Sequence, residues 1–212
     1  MALSDMLRSS GVRNFAKLFS ANVVAQAIGL LVYPILTRIY SPEDFGLLNL
    51  FLSIGGVLVI ISTAEYYYAI VLPKEDKDAD AVLGVGGLWL TIIAILVALS
   101  VCFAEPISDL FNSPNLATYY WMMPLYVFAI GAWNLLNYWY IRHKKYNPIS
   151  RYQVSQNLLS ATGKLGMGWG GMFQSGMIYA VVVAPWLSLL SSIFTARKEL
   201  PAALRNLTWS NI

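Results

Sequence analysis

The sequence has few of the side chains on which most enzymes depend. Its 212 residues include one cysteine, Cys102, and one histidine, His143. A single cysteine cannot form an intramolecular disulfide, and a histidine without nearby cysteines or acids does not predict a metal site. Charged residues make up only 12% of the chain, about half the usual share of a soluble domain. The composition therefore argues against a soluble metalloenzyme and against a disulfide-stabilised domain.

The familiar catalytic and nucleotide-binding patterns are missing too. Gly166, Gly168 and Gly171 match the spacing of a dinucleotide-binding loop, but no predicted strand precedes them. We interpret these glycines as points of close packing on a membrane helix. No Ser/His/Asp or Cys/His set can be assembled, and the net charge of +3 is explained by membrane topology rather than by nucleic acid. We expect no catalytic residue, no metal and no cofactor.

Long apolar runs dominate the chain instead. Each is long enough to cross a hydrocarbon core of about 30 Å as a helix, which takes roughly 20 residues. Between the first two runs, the sequence Ser41-Pro42-Glu43-Asp44 predicts a helix start. The fifth run is the least hydrophobic. The predicted spans are residues 16–40, 46–72, 81–104, 119–141, 152–172 and 175–196.

The basic residues are distributed unevenly between these runs. Of the 14 Lys and Arg residues, 12 fall in the N-terminal segment, the second and fourth gaps, and the tail. Only Arg38 falls in a gap on the other side, and Lys164 lies within the fifth run. By the positive-inside rule, both termini are cytoplasmic. The sequence thus predicts an all-α polytopic membrane protein, with a cytoplasmic lead at 1–14, a six-helix transmembrane bundle at 15–196 and a cytoplasmic tail at 197–212.

The fifth span carries the clearest polar face. Gln153, Asn157, Ser160 and Lys164 follow one another at spacings of 4, 3 and 4 residues, which places them on one side of a helix. A charge near the bilayer centre costs at least ~2.5 kcal/mol on insertion scales. We therefore predict that this face lines a water-filled cavity. The alternative is that Lys164, roughly 12 Å from the outer end of its helix, extends its amine to the membrane surface.

Isolated polar residues in or beside the other spans are further candidates for the same cavity. The alternative for any Asn or Gln is an interhelical hydrogen bond, worth about 0.6 kcal/mol. Glu65 is predicted to lie within the second span, about 10 Å from its inner end. The candidates outside the fifth span are Asn22, Gln26, Arg38, Glu65, Asn134 and Asn137.

Three stretches of the chain resemble the Wzx-type polysaccharide flippases. Residues 37–46 (TRIYSPEDFG) are similar to the first outer loop of that family. Residues 65–74 (EYYYAIVLPK) are similar to the end of its second helix, and residues 163–166 (GKLG) also fit. One departure is Ala64, where the family often has an arginine. The resemblance covers residues 15–196, which is almost the whole chain.

The resemblance implies a fold of two pseudo-symmetric six-helix bundles around a central cavity, as in the superfamily of multidrug, oligosaccharidyl-lipid and polysaccharide exporters. Members have about twice as many spans, so we expect this chain to correspond to the N-terminal bundle. The implied activity is transfer of an undecaprenyl-pyrophosphate-linked oligosaccharide across the bacterial inner membrane for O-antigen (lipopolysaccharide) or exopolysaccharide biosynthesis. Lys164 or Arg38 would attract the pyrophosphate, and the coupling ion, H⁺ or Na⁺, stays open.

The resemblance also implies partners, and other classes of function remain as alternatives. The expected partners are the lipid-linked oligosaccharide, the bilayer, and polysaccharide polymerase and chain-length proteins. A multidrug or cation antiporter of the same superfamily would need acidic residues in its cavity, where Glu65 is the one candidate. A membrane-embedded glycan transferase would need a His or Asp cluster, which is not found. A membrane scaffold without transport activity is the remaining alternative.

Overall fold

The computed structural model describes residues 10–196 and contains no strand in that range. Most of the predicted lead and the whole predicted tail lie outside the described residues. Residues 10–14 of the lead are part of the first helix rather than a separate segment. The α-helices are α1 (Ser10–Ile39), α2 (Pro42–Thr63), α3 (Asp76–Ser100), α4 (Ala104–Leu110), α5 (Pro114–Tyr120), α6 (Met123–Arg142), α7 (Tyr146–Trp169) and α8 (Phe173–Ala196).

Several of these helices are long and apolar enough to cross a membrane. By length and composition, the described part of the chain has four such segments: Leu18–Ile39, Pro42–Thr63, Asp76–Leu110 and Phe173–Phe194. The protein is therefore an all-α polytopic membrane protein, as the sequence predicts. The fourth and fifth predicted spans form helices α6 and α7. The hydropathy of each is too low for it to be counted with these four segments.

The bounds of every predicted span differ from those of its helix, and in two cases a turn interrupts the span. The second was expected to continue to residue 72, but α2 ends at Thr63 because Ala64 and Glu65 both adopt left-handed backbone angles, with φ of 42° and 54°. A short 3-10 helix, Tyr66–Val71, follows. The fourth span was expected to begin at 119, but α6 begins after a break, with Pro124 in its first turn, a position that proline favours. Glu65 consequently lies in a turn rather than inside a membrane helix.

The start of α2 agrees with its sequence signal. The Ser41 hydroxyl accepts a hydrogen bond from the Asp44 amide at 3.2 Å, and the Asp44 carboxylate accepts one from the Ser41 amide at 2.8 Å. This reciprocal pair is a capping box, which satisfies two amides that the first helical turn leaves without partners. The predicted helix start is confirmed, and it fixes a tight turn between α1 and α2.

Helix α6 lies at the centre of the bundle and packs against α2, α3 and α8. Glycines allow two of these contacts, since a Cβ on Gly131 would lie 2.5 Å from the Leu90 side chain and a Cβ on Gly55 would lie 2.6 Å from Tyr126. Helix α1 packs mainly on α7, and α7 packs on α8. The core is thus built around α6, while α1 keeps an exposed face.

The connections between helices gather at two opposite ends of the bundle. At one end, Arg142 at the close of α6 donates to the carbonyl of Pro73 at 2.8 Å and pairs with Asp76 at 3.0 Å. At the other end, the rings of Tyr40 and Phe173 lie 6.5 Å apart, so the α1–α2 turn meets the α7–α8 hairpin. The loops that are rich in basic residues therefore lie together, opposite the end of α1 that carries Arg38. We call the Arg142 end inner and the Tyr40 end outer.

Candidate functional site

The polar face predicted on the fifth span lies on α7 and is partly buried. The exposed positions of this helix form a different face. They are Asn147, Arg151, Leu158, Thr162, Gly166 and Trp169. At about 100° per residue, that exposed face is on the far side of the helix from the polar residues. The polar stripe, by which we mean Gln153, Asn157, Ser160 and Lys164, is therefore turned toward the neighbouring helices.

Lys164 is held next to α1 near the outer end of α7. The Tyr40 hydroxyl donates to the Lys164 backbone carbonyl at 2.5 Å. One helical turn further on, Gly168 is packed so closely against Ile39 that an added Cβ would lie 2.6 Å from its side chain. Lys164 forms no ion pair with a described residue. The stripe thus places a partly buried lysine, without an acidic partner among the described residues, beside the first helix.

Helix α1 contributes a second polar surface next to the stripe. Its buried residues, among them Ala21, Ala25 and Leu36, form one face. Asn22 and Gln26 lie on another face and are exposed. A groove of about 620 Å³ runs along α1 past Gln26 and Tyr33. Because α1 packs on α7, the exposed polar face of α1 and the polar stripe belong to adjacent helices.

Arg38 lies near the outer end of the same helix. It is exposed and occupies the last turn of α1. A basic side chain at this position interacts favourably with the negative end of the helix dipole. Arg38 follows Tyr33 by five residues, so it lies beyond the groove toward the outer end but about 140° around the helix from Tyr33.

No hydrogen bond between helices is described for the side chains of Asn134, Asn137, Gln153 or Asn157. Asn157 donates within its own helix, to the Gln153 carbonyl at 2.9 Å and to the Gln156 side chain at 3.3 Å. The side-chain oxygens of Asn137 and Gln153 are buried and have no hydrogen-bond partner. Asn134 is partly buried and has no described interhelical hydrogen bond. Buried polar atoms without protein partners are normally met by water or by a ligand.

Glu65 is separated from this surface. It is exposed in the left-handed turn after α2, at the inner end of the bundle. Its neighbours there are aromatic, since the rings of Tyr67 and Tyr138 lie 5.0 Å apart in the same region. Lys164 lies near the outer end of α7. The structure therefore does not bring Glu65 and Lys164 together.

The sequence did not single out several polar contacts between neighbouring helices. The Ser155 hydroxyl donates to the Ser188 hydroxyl at 3.0 Å, which links α7 to α8, and Ser188 is only 1% exposed. The Tyr140 hydroxyl donates to the Ser192 carbonyl at 2.8 Å. Ser188 belongs to a series of small residues whose spacing indicates helix packing. The sequence pattern therefore gives no separate indication of its hydrogen bond. Tyr40 likewise lies in a stretch whose pattern does not reveal its bond to Lys164.

A family model described as "Polysaccharide biosynthesis protein" matches residues 12–204. The chain belongs to this family. The resemblance carried by residues 37–46 and 65–74 is thereby confirmed, because the match covers both stretches and nearly the whole bundle. The described residues include no group of three His, Cys, Asp or Glu side chains that could hold a metal.

A relative that matches part of this chain has a name that refers to transport. The chain is 35% identical over 86 residues to the "Succinoglycan biosynthesis transport protein ExoT" of Rhizobium meliloti (strain 1021). The aligned segment covers 40% of this chain and 17% of that relative. The match therefore relates one segment of the bundle to a small part of a longer protein. No solved structure matches the chain with significance.

Proposed function

We propose that this chain is one six-helix bundle of a transporter for lipid-linked (undecaprenyl-pyrophosphate) oligosaccharides in the bacterial inner membrane. The exported units would serve O-antigen or exopolysaccharide biosynthesis. The observation that carries the proposal is the polar stripe, in which Lys164 and two amide side chains lie partly buried within a membrane bundle. Membership of the polysaccharide biosynthesis protein family and the transport name of the relative support the same class of cargo.

The chemistry of the stripe suits such a cargo. A lipid-linked oligosaccharide has an anionic pyrophosphate and a hydroxyl-rich glycan, neither of which can enter hydrocarbon without polar partners. Lys164 supplies a positive charge that no described acidic residue neutralises. The unpartnered oxygen of Gln153 and the polar face of α1 supply hydrogen-bonding groups that replace water. The lipid tail remains in the bilayer beside the exposed apolar face of the bundle.

The proposal includes six crossings with both termini in the cytoplasm. Helices α6 and α7 contain 20 and 24 residues, which at 1.5 Å per residue gives about 30 and 36 Å, enough to cross a hydrocarbon core. A helix enclosed by other helices need not be apolar on every side. The central position of α6 and the inward face of α7 therefore account for their lower hydropathy.

Transport by this bundle would need a second bundle that faces the polar surface of α1 and α7. Alternating access would then arise from the rocking of one bundle against the other. The cation-antiporter alternative is weakened by the position of Glu65, which lies in an exposed turn rather than beside the stripe. Polymerase and chain-length proteins remain proposed partners on the basis of the cargo alone.

Substitution of Lys164 in the chromosomal gene tests this function, because the cell then supplies any second bundle that transport needs. We expect Lys164→Ala to reduce polysaccharide export strongly and Lys164→Arg to keep much of it, since the arginine keeps the charge. Lys74→Ala is the matched control, because Lys74 is exposed in the inner loop. Export is measured at equal membrane levels of each variant. Wild-type export by Lys164→Ala would overturn the cargo role and leave an anchoring role for the amine.

A further inference from the structure

A cleft of about 670 Å³ lies at the outer end of the bundle. Three chain segments that are distant in sequence converge on it: the α1–α2 turn, the end of α5 and the α7–α8 hairpin. Its volume falls within the range of about 300–1,000 Å³ that small-molecule sites occupy. We call it the outer cleft, and its polar and aromatic lining consists of Ser41, Asp44, Tyr119, Phe173, Gln174 and Ser175.

Asp44 is the charged group of the outer cleft. Its side chain is only 5% exposed, and one carboxylate oxygen, Oδ2, accepts the Ser41 amide at 2.8 Å within the capping box. The other oxygen, Oδ1, has no described hydrogen bond. A carboxylate oxygen held in a fixed orientation is a strong acceptor for a ligand hydroxyl. The hydroxyls of Ser41, Tyr119 and Ser175 can either donate or accept beside it.

The charge of the outer cleft excludes the anionic part of a lipid-linked glycan. No lysine or arginine is among its lining residues, whereas Asp44 contributes a negative charge. A pyrophosphate would therefore be repelled rather than bound. Asp44 is also the one carboxylate in the lining, which is too few for a site that selects a divalent cation. The lining suits a neutral, hydroxyl-rich ligand.

Phe173 gives the outer cleft an apolar wall. Its side chain is 50% exposed, and its ring stands perpendicular to that of Tyr40 with centroids 6.5 Å apart. An aromatic ring held in this way offers a face on which the C–H groups of a sugar ring can stack, while polar neighbours bind the hydroxyls. Gln174 follows Phe173 in the hairpin and supplies both an amide donor and an acceptor.

We propose that the outer cleft binds one or two sugar residues of the exported glycan. The inference rests on the transport function proposed above, and it adds a saccharide subsite at a place separate from the polar stripe. Tyr40 connects the outer cleft to the polar stripe, because its ring contacts Phe173 and its hydroxyl donates a hydrogen bond to the Lys164 carbonyl. A glycan whose pyrophosphate lies near Lys164 would therefore extend its sugar residues toward the outer cleft.

Saccharide binding to the purified full chain in lipid nanodiscs tests the subsite. The probes are trisaccharides of glucose, galactose, mannose and N-acetylglucosamine, and binding is followed by saturation-transfer NMR. We expect at least one trisaccharide to bind. Phe173→Ala and Gln174→Ala should each weaken that binding at least about fivefold, which corresponds to roughly 1 kcal/mol. Sodium pyrophosphate should not displace the sugar.

Matched controls separate the cleft from general effects of substitution. Phe111→Ala and Asn115→Ala remove the same kinds of side chain from exposed outer positions that do not line the cleft, and binding should stay within about twofold. Tyr119→Phe, which keeps the ring, is a third cleft variant in case an alanine variant does not fold. The subsite is refuted if no trisaccharide binds, if cleft and control variants bind alike, or if pyrophosphate displaces the sugar.

The sugar-binding measurements and the Lys164 export assay together distinguish failure of the subsite from failure of the transport function. Sugar binding that depends on the cleft, together with normal export by Lys164→Ala, would overturn the proposed role of the stripe and keep a saccharide site. Loss of export in Lys164→Ala without any cleft-dependent sugar binding would support transport and overturn the subsite.

Discussion

At the scale of single residues, Tyr40 connects the α1–α2 turn to the fifth long helix. Its side chain is 4% exposed, and its hydroxyl donates to the carbonyl of Lys164 at 2.5 Å. That carbonyl is also part of the helical hydrogen-bond ladder of α7, so the tyrosine ties α1 to α7 without interrupting either helix. Tyr40 therefore helps to determine how close the stripe stands to α1.

Removal of that hydroxyl should loosen the contact between α1 and α7. We expect Tyr40→Phe to lower the stability of the purified protein by about 1 kcal/mol, the usual net value of a buried hydrogen bond. The measurement is the thermal unfolding midpoint in detergent. Tyr33→Phe is the control, since Tyr33 is exposed and its hydroxyl has no described hydrogen bond to another helix. Equal midpoints for the two variants would show that the Tyr40 bond does not stabilise the bundle.

Arg142 likewise links separate segments of the chain, at the inner end of the bundle. It donates to the carbonyls of Ile70 at 3.4 Å and Pro73 at 2.8 Å and pairs with Asp76. The side chain of Asp76 is 74% exposed, so the ion pair itself adds little. We expect Arg142→Ala to lower stability by about 2 kcal/mol, mostly because two partly buried carbonyls lose their hydrogen-bond donor.

Two substitutions check the role of Arg142 by the same thermal measurement. Asp76→Ala should change stability by less than about 0.5 kcal/mol, because it removes only the exposed ion pair. Arg151→Ala serves as the control at an exposed inner position. A loss in Asp76→Ala as large as that in Arg142→Ala would show that the ion pair, and not the backbone contact, is what stabilises this end.

At the scale of elements, the α7–α8 hairpin joins two long helices through three residues, 170–172. Gly171 adopts a left-handed angle, with φ of 79°. The Met172 amide then bonds back to the Met167 carbonyl at 2.9 Å, which closes the end of α7. This arrangement is the glycine-dependent end that many helices use. It also places Phe173 and Gln174 at the outer cleft.

Substitution of Gly171 should destabilise the hairpin. Gly171→Ala forces an L side chain into the left-handed region, at a cost of roughly 1–2 kcal/mol. Gly166→Ala is a matched control, since Gly166 lies within α7 and an added Cβ would meet nothing within 4 Å. We expect that control to be neutral or slightly stabilising, by up to about 1 kcal/mol. The thermal unfolding midpoints of both variants test this prediction. A Gly171→Ala protein as stable as Gly166→Ala would contradict it.

At the scale of the whole molecule, the loops divide between two ends in the way that the basic residues predict. Residues 74–80 and the end of α6 meet through Arg142, whereas the α1–α2 turn and the α7–α8 hairpin meet through Tyr40 and Phe173. The positive-inside rule assigns the first end to the cytoplasm. Position 78 lies in the first turn of α3, and position 112 lies between α4 and α5.

Cysteine labelling in intact cells tests that orientation. In a Cys102→Ser background, a membrane-impermeant reagent should label Asn112→Cys and miss Asp78→Cys. Both positions are exposed, so the reagent would reach either one if it lay outside. Opening the cells should make position 78 reactive. Labelling of position 78 in intact cells would reverse the predicted topology.

The polar surface of α1 and α7 also predicts how the bundle behaves alone. Asn22 and Gln26 are exposed on a helix that would otherwise face lipid, where polar groups are unfavourable. We expect residues 1–212 alone not to restore polysaccharide export in a flippase-deficient strain. Co-expression with a matching second six-helix bundle is the comparison. Full complementation by the 212-residue chain alone would contradict the need for a second bundle.

The sequence by itself determined the class of the protein and the positions of its long helices. Hydropathy is a sum over neighbouring residues, so the apolar runs, the helix start at Ser41 and the alternation of basic loops could be predicted without tertiary contacts. The 3.6-residue repeat likewise placed Gln153, Asn157, Ser160 and Lys164 on one face. The family resemblance also depended on contiguous residues, at 37–46 and 65–74.

Only the tertiary structure decided which way those faces point and where the helices stop. The helical repeat shows that the stripe shares a face, but the packing of α1 and α8 around α7 decides that this face is turned inward. The left-handed turn that removes Glu65 from α2 depends on backbone angles that the apolar run does not encode. The outer cleft joins residues from three distant segments, and such convergence arises from the packing of whole helices rather than from any local pattern.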